Sequence, residues 1–346
     1  MTNEGTIVVT GPTALRAIRC ERRRHARLTW RPLGKVEQRH ALASCVPNKS
    51  TIDLNDLAAH GIVPDETDGK IHVLVQSKEL TRNSTVIACH EMGFNPPSGS
   101  TLMIERGLYV TSPELAIIQA GITGDLARTL VLALEFCGGY SLPDAEEYAL
   151  CPFDSGRPIS YYPSEPVMSP TALKRFLKHM PSCRGIRTAN QAARYTLAGS
   201  VSPMESLVAA MYTLPFHLGG FAIKEAELNK EIMFNGEASA VSGMRRAYCD
   251  LYIPWAKSSL EYNGSIHDSR NWRIHDEKRD AGLEAMGITC FYLNDAQIRS
   301  PEALEVIARL VYRRGGRRFQ CRADGFQNRC GRLLNALRTA SGLSPA

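Results

Sequence analysis

Asp250 and Glu261 are the two residues whose type and setting can do chemistry together. They lie in short apolar stretches, RAYCDLYIP (246–254) and SSLEYNG (258–264), joined by a short loop around Pro254 and Lys257. Alternation and aromatic content predict two adjoining strands. With a period of two, Tyr248, Asp250 and Tyr252 share one face of the first, and Glu261 and Asn263 one face of the second. If the strands pair, the carboxylates converge at one sheet edge. Carboxylates in close contact repel each other, and a divalent cation between them removes the repulsion. Hard oxygen ligands with open water positions suit Mg²⁺ or Mn²⁺. Such an ion can bind a scissile phosphate and acidify a water molecule. The same two residues also suit an edge strand that carries charge to discourage aggregation.

The elements that must hold these residues follow from local signals. In SPMESLVAAMYTLP, Ser202 caps a helix, Pro203 opens it, and Glu205 is placed to reach back as in a capping box. FAIKEAELN (221–229) reads as a strand and HDEKRDAGLEAMG (275–287) as a helix stopped by Gly287. ITCFYL (288–293) reads as a further strand, and SPEALEVIARLVYRR (300–314) as a capped helix. Helix, strands, helix, strand, helix predicts an α/β unit with a central mixed sheet. Asp276, Arg279 and Asp280 fall within one helical turn and can pair with one another.

The first half reads as a smaller α+β domain. TIDLNDLAAH (51–60) is a short capped helix. KIHVLVQ (70–76), STVIACHEM (84–92) and TLMIERGLYVTS (101–112) are strand-like. SPELAIIQAG (112–121) and LARTLVLALEFCGGY (126–140) are helices. His72 and His90 fall within the strands, and no metal-type spacing joins them. The Pro- and Ser-rich run 141–168 is the expected domain joint. The expected division is a basic helical segment over 1–50, the α+β domain over 51–165, a helical connector over 166–199, the α/β domain over 200–312 and an Arg-rich tail over 313–346.

The 346 residues are 44% hydrophobic and 22% charged, an ordinary globular composition, with a formal charge of +6. The excess is clustered. Arg22, Arg23 and Arg24 belong to one run near the start; Arg313, Arg314, Arg317 and Arg318 open the tail, whose Gly-rich break predicts a flexible arm. Clustered arginines suit phosphate-bearing partners, and equally a solvated helix face. The ten Cys contain no C-x-x-C pair and read as reduced thiols, which predicts a cytoplasmic protein. The start has no basic region ahead of an apolar core, and no apolar run approaches the roughly 20 residues that span a bilayer.

Taken together, residues 200–298 resemble the PD-(D/E)XK nuclease superfamily, most of all its very-short-patch-repair-endonuclease-like branch. The likeness is carried by Asp250, then EYNGSIH with Glu261, Asn263, Gly264 and His267, then DEKRDAGLEAMG with Asp276, Arg279, Leu283 and Gly287. It implies a restriction-endonuclease-like α-β-β-β-α-β core and a metal-dependent DNA endonuclease of bacterial defence or DNA repair. Asp250 and Glu261 would hold Mg²⁺ (or Mn²⁺) with Glu205 from the first helix. Two departures stand out: Cys249 replaces the Pro before the Asp, and Asn263 replaces the Lys of Glu-x-Lys. An amide orients a water or a phosphate oxygen without supplying charge. Lys278 or Arg279 would then supply it, and His267 would act as base or phosphate ligand.

Residues 50–140 resemble the N-terminal part of abortive-infection antitoxin and regulator proteins, through GKIHVLVQ followed by GLYVTSPELAIIQ. That likeness implies a specificity or regulatory module. The partners implied are DNA, a second copy of the chain, and a toxin or defence protein, with no membrane. The alternative reading is a non-catalytic DNA-binding regulator or antitoxin on a nuclease-like fold.

Overall fold

The computed structural model describes residues 5–47, 53–143, 161–263, 270–321 and 324–346, with no side-chain detail over 270–274. Two compact units form, one from residues 1–136 and 162–194, the other from 137–161 and 195–346. Among the described residues no helix is long and apolar enough to cross a membrane.

The N-terminal unit is built on a six-stranded mixed sheet. Its elements are β1 (Ile7–Val9), α1 (Gly11–His25), β2 (Arg31–Pro32), α2 (Lys35–Ser44), α3 (Leu54–Ala59), β3 (Ile71–Val75), β4 (Ile87–Glu91), β5 (Thr101–Glu105), β6 (Leu108–Thr111), α4 (Pro113–Ala120), α5 (Leu126–Phe136), α6 (Pro170–His179) and α7 (Ile186–Tyr195). The strand order is β2-β5-β6-β1-β3-β4. This corrects the expectation of a separate segment over 1–50. β1 is an interior strand, parallel to β6 and antiparallel to β3, with Ile7, Val8 and Val9 buried. Nor do α6 and α7 form a free-standing connector, since they belong to this unit up to Arg194. TLMIERGLYVTS is a hairpin, because Gly107 takes φ 90°, a left-handed turn position that favours glycine.

The C-terminal unit carries α8 (Pro203–Thr213), β7 (Glu227–Met233), α9 (Gly236–Ser242), β8 (Arg246–Ile253), β9 (Ser258–Tyr262), α10 (Arg270–Ala285), β10 (Thr289–Leu293), α11 (Pro301–Arg314) and α12 (Phe326–Ala340). The sheet order is β10-β9-β8-β7, with β7, β8 and β9 antiparallel in turn and β10 parallel to β9. The expected α/β class with a mixed sheet is present. β7 begins later than expected because Ala222 and Glu225 take positive φ, which breaks an extended run. The tail is not a free arm throughout: α12 buries Phe326, Cys330, Leu333, Leu334 and Leu337 on one helical stripe.

Two local features set the register around the later site. Gly287 ends α10 in the left-handed conformation, and Ile288 N–H returns to Leu283 O at 2.9 Å, so β10 starts at once. Gly282 lies against Phe234, where a Cβ would come within 2.2 Å of the ring, so α10 can approach closely. The neighbouring Leu283 joins Ile232, Ala247, Cys249 and Ile288 in one apolar cluster.

Candidate functional site

Asp250 lies on β8 and Glu261 on β9. Leu251 faces Leu260 across these strands, which sets Asp250 opposite Glu261 in the next row. There side chains take over from the backbone ladder. Tyr262 N–H donates to Asp250 Oδ2 at 2.9 Å, and Asp250 N–H points to Glu261 Oε1 at 3.3 Å. On the other flank Lys230 faces Cys249 and Leu228 faces Leu251, which sets Asn229 of β7 opposite Asp250. Glu261 in turn faces Tyr292 of β10. One row across the sheet therefore reads Asn229, Asp250, Glu261, Tyr292.

Glu205 enters from the first turn of α8. Ser202 caps that helix, accepting from Glu205 N–H at 3.2 Å, and its hydroxyl donates back to Glu205 Oε1 at 3.0 Å. Glu205 Oε2 accepts from Val201 N–H at 2.9 Å and Asn229 Nδ2 at 2.7 Å. A buried hydroxyl chain anchors the helix start: Ser206 donates to Ser200 at 2.8 Å, Ser200 to Ser202 O at 2.8 Å, and Tyr140 pairs with Ser206 at 2.9 Å. Glu205 thus serves the cap and also stands close enough to Asp250 to feel its charge.

Arg279 of α10 is the cation that reaches this cluster. Its Nη1 lies 3.3 Å from Glu261 Oε2, while Glu261 Oε1 accepts from the Ser259 hydroxyl. Arg279 Nη2 donates to the Tyr292 hydroxyl at 3.1 Å, and that hydroxyl donates to Asp280. Among the described residues the buried Arg279 Nε has no hydrogen-bond partner. Of the local pairings expected for Arg279, the one with Asp280 is present at 3.5 Å, and Arg279 also faces Glu261.

Burial dominates the electrostatics. It pushes Glu205 up to about 7, with the Asp250 charge adding to the rise. It pushes Glu261 up to about 7 as well, again helped by Asp250 and opposed by Arg279. Asp250 is raised by burial against the pull of Tyr262 N–H and Arg279. Three negative charges thus face one guanidinium when all are ionised, which leaves a buried negative excess. Hard oxygen ligands with that excess fit Mg²⁺ or Mn²⁺ in charge and in donor type.

A pH dependence of stability follows. Between the usual carboxyl value of 4.5 and about 7, the folded chain keeps protons on Glu205 and Glu261 that the unfolded chain has released. The contribution of these two groups to stability is therefore greatest below that window and falls as pH rises through it. Calorimetry of the metal-free protein is expected to give a higher midpoint at about pH 5 than at about pH 7.5. A midpoint that does not fall over that range would contradict the raised values.

The remaining sequence candidates fall as follows. Asn263 lies past the end of β9 and is exposed, its N–H donating to Leu293 O at 2.9 Å. Lys278 is exposed. His267 lies outside the described residues. Arg22 corrects the proposed basic surface: it is wholly buried, 3.9 Å from Glu135 Oε1 and 3.0 Å from the Ser164 hydroxyl. Arg23 is half-buried, 5.5 Å above the Tyr162 ring, and the exposed Arg24 donates to Ala59 O. Arg314 holds Gly287 O at 2.7 Å, and Arg317 stacks 4.1 Å above the Trp255 ring. Arg313 and Arg318 are exposed.

Two things were not legible from spacing. Asn229 carried no signal, because its role depends on the register between β7 and β8. In the N-terminal unit His72 Nδ1 meets His90 Nε2 at 2.8 Å. Asp65, Asp68 and His72 are, among the described residues, the one group of three with ligand atoms all within 4.8 Å of one another. The Glu205, Asp250 and Glu261 carboxylates spread wider than that. Asp250 is the acid whose charge acts on both glutamates. Comparisons with protein-family models, curated proteins and solved structures return no match.

Proposed function

We propose that the C-terminal unit is a divalent-metal-dependent DNA endonuclease, set in bacterial defence or DNA repair. The observation that carries this reading is the meeting of half-buried Asp250 and buried Glu261 from adjoining strands, with Arg279 as the one cation reaching them among the described residues. The element order α8, β7, β8, β9, α10, β10 is compatible with a restriction-endonuclease-like core, with the short α9 inserted between β7 and β8.

Asp250 and Glu261 would hold Mg²⁺ or Mn²⁺, with Glu205 at its flank. When bound, the ion supplies positive charge to a phosphate oxygen and acidifies a nearby water. The chain supplies the rest. Arg279 can donate to a phosphate oxygen through its nitrogens and offset developing charge, the task that Asn263 cannot perform. The exposed Arg313 and Arg318 would meet the DNA backbone and make binding salt-sensitive.

One observation favours a second reading, a non-catalytic DNA-binding regulator. Arg279 pairs with Glu261 at 3.3 Å, so the chain's own cation meets part of the acidic charge. The test is incubation of the purified protein with supercoiled, linear and single-stranded DNA, with Mg²⁺, with Mn²⁺ and with chelator. Cleavage that needs the metal supports the endonuclease. DNA binding without cleavage under every condition supports the regulator, and absence of both sinks the two readings together.

A further inference from the structure

Asn229 is the one residue of β7 that takes a left-handed backbone conformation, φ 46°, in the middle of an otherwise paired strand. Asparagine is among the few L-residues that adopt it at small cost. Its neighbours keep their partners, so the ladder yields only where Asn229 stands opposite Asp250. The turn sends the side-chain amide toward α8. Nδ2 donates to Gly199 O and to Glu205 Oε2, each at 2.7 Å, which uses both of its protons.

The other donors to Glu205, Val201 N–H and the Ser202 hydroxyl, belong to the start of α8 itself and would be present wherever that helix sat. Asn229 is the donor that comes from the sheet. Gly199 permits the close approach: it takes φ 95°, and a Cβ there would come within 3.2 Å of Leu228 O.

We propose that Asn229 is a positioning residue of the metal site. Its amide ties the Glu205 carboxylate to the row of Asp250 and Glu261, so that Glu205 stands at the flank of a cation held by Asp250. This rests on the metal-site reading above.

Asn229→Gly separates positioning from folding, because glycine accepts the left-handed backbone without strain and removes only the amide. Outer-shell partners of metal ligands typically contribute about 10- to 100-fold in affinity. Titration calorimetry with Mn²⁺ is expected to show a loss of about that size for Asn229→Gly, in a metal-free protein that still unfolds cooperatively at a moderately lower midpoint. Asn229→Asp keeps the shape, puts an acceptor where Glu205 needs a donor, and is expected to lose at least as much. Mn²⁺ affinity of Asn229→Gly within about twofold of the parent would overturn the proposal. Asp250→Asn, measured alongside, distinguishes the two levels. A parent whose Mn²⁺ binding survives Asp250→Asn, or is absent, overturns the metal-site reading. A parent that loses binding with Asp250→Asn but keeps it with Asn229→Gly overturns the role of Asn229 alone.

Discussion

Asp250→Asn is expected to lower metal-dependent DNA cleavage at least about a thousandfold while leaving the metal-free protein as stable as the parent or more so. A metal clamp on a reacting phosphate is worth several kcal/mol, and about 4 kcal/mol corresponds to that factor. Asparagine keeps an oxygen to accept the Tyr262 N–H that now donates to Asp250 at 2.9 Å. It also removes the charge that raises Glu205 and Glu261. The usual penalty for truncating a buried polar residue is therefore offset by relief of repulsion. DNA affinity in the presence of chelator should stay close to the parent's. Glu261→Gln removes the carboxylate that Arg279 faces at 3.3 Å, so activity should fall, while stability should change little because burial already favours the neutral carboxyl that Gln resembles. The assays are plasmid cleavage, calorimetric midpoint and filter binding. Stability that drops sharply in Asp250→Asn would mean that the carboxylate is a structural anchor, and cleavage that persists would remove it from the chemistry.

Arg22→Met is expected to destabilise the N-terminal unit by about 3–5 kcal/mol, the usual range for breaking a buried ion pair by removing one partner. Arg22 is 0% exposed and Glu135 is 0% exposed. Arg22 also donates to the Ser164 hydroxyl and to Glu165 O, at 3.0 and 3.1 Å, and so ties α1 to the segment that precedes α6. Glu135 keeps Arg19, whose Nη2 sits at 2.6 Å, so the charge left behind is partly compensated and the loss should fall toward the lower end. Denaturant unfolding measures it. DNA affinity of the folded variant should be unchanged, because no face of Arg22 meets solvent. A variant with parental stability and weakened DNA binding would restore Arg22 to the surface role that the charge run suggested.

The arginine run near the start shows why charge along a sequence is a poor guide to surface. On α1, Arg19 and Arg22 are three apart and lie on one helical face, and that face meets Glu135. Helical spacing states that they share a face, and cannot state that a carboxylate from α5 waits there. The tail repeats the lesson: a Gly-rich, Arg-rich stretch reads as an arm, yet Phe326, Cys330 and Leu334 fold it into a buried helix further on.

By itself the sequence determined most of the elements around the site, though not α9, nor β1 and β2 in the other unit, where no strand or helix was expected. Ser112, Ser169, Ser202 and Ser300 each cap the helix expected after them, and Gly287 stops α10 as expected, because caps and left-handed stops act within one turn of the chain. It also placed Asp250 and Glu261 on adjoining strands, since period-two alternation is local. Tertiary structure alone decided which groups joined them. Glu205 meets Asn229 across 24 positions, and Arg22 meets Ser164 across 142. Arg279, rather than Lys278 beside it on α10, found Glu261. Such meetings depend on strand register and on the approach of packed helices, and these are fixed by burial of the whole apolar set, for which no short stretch carries a signal.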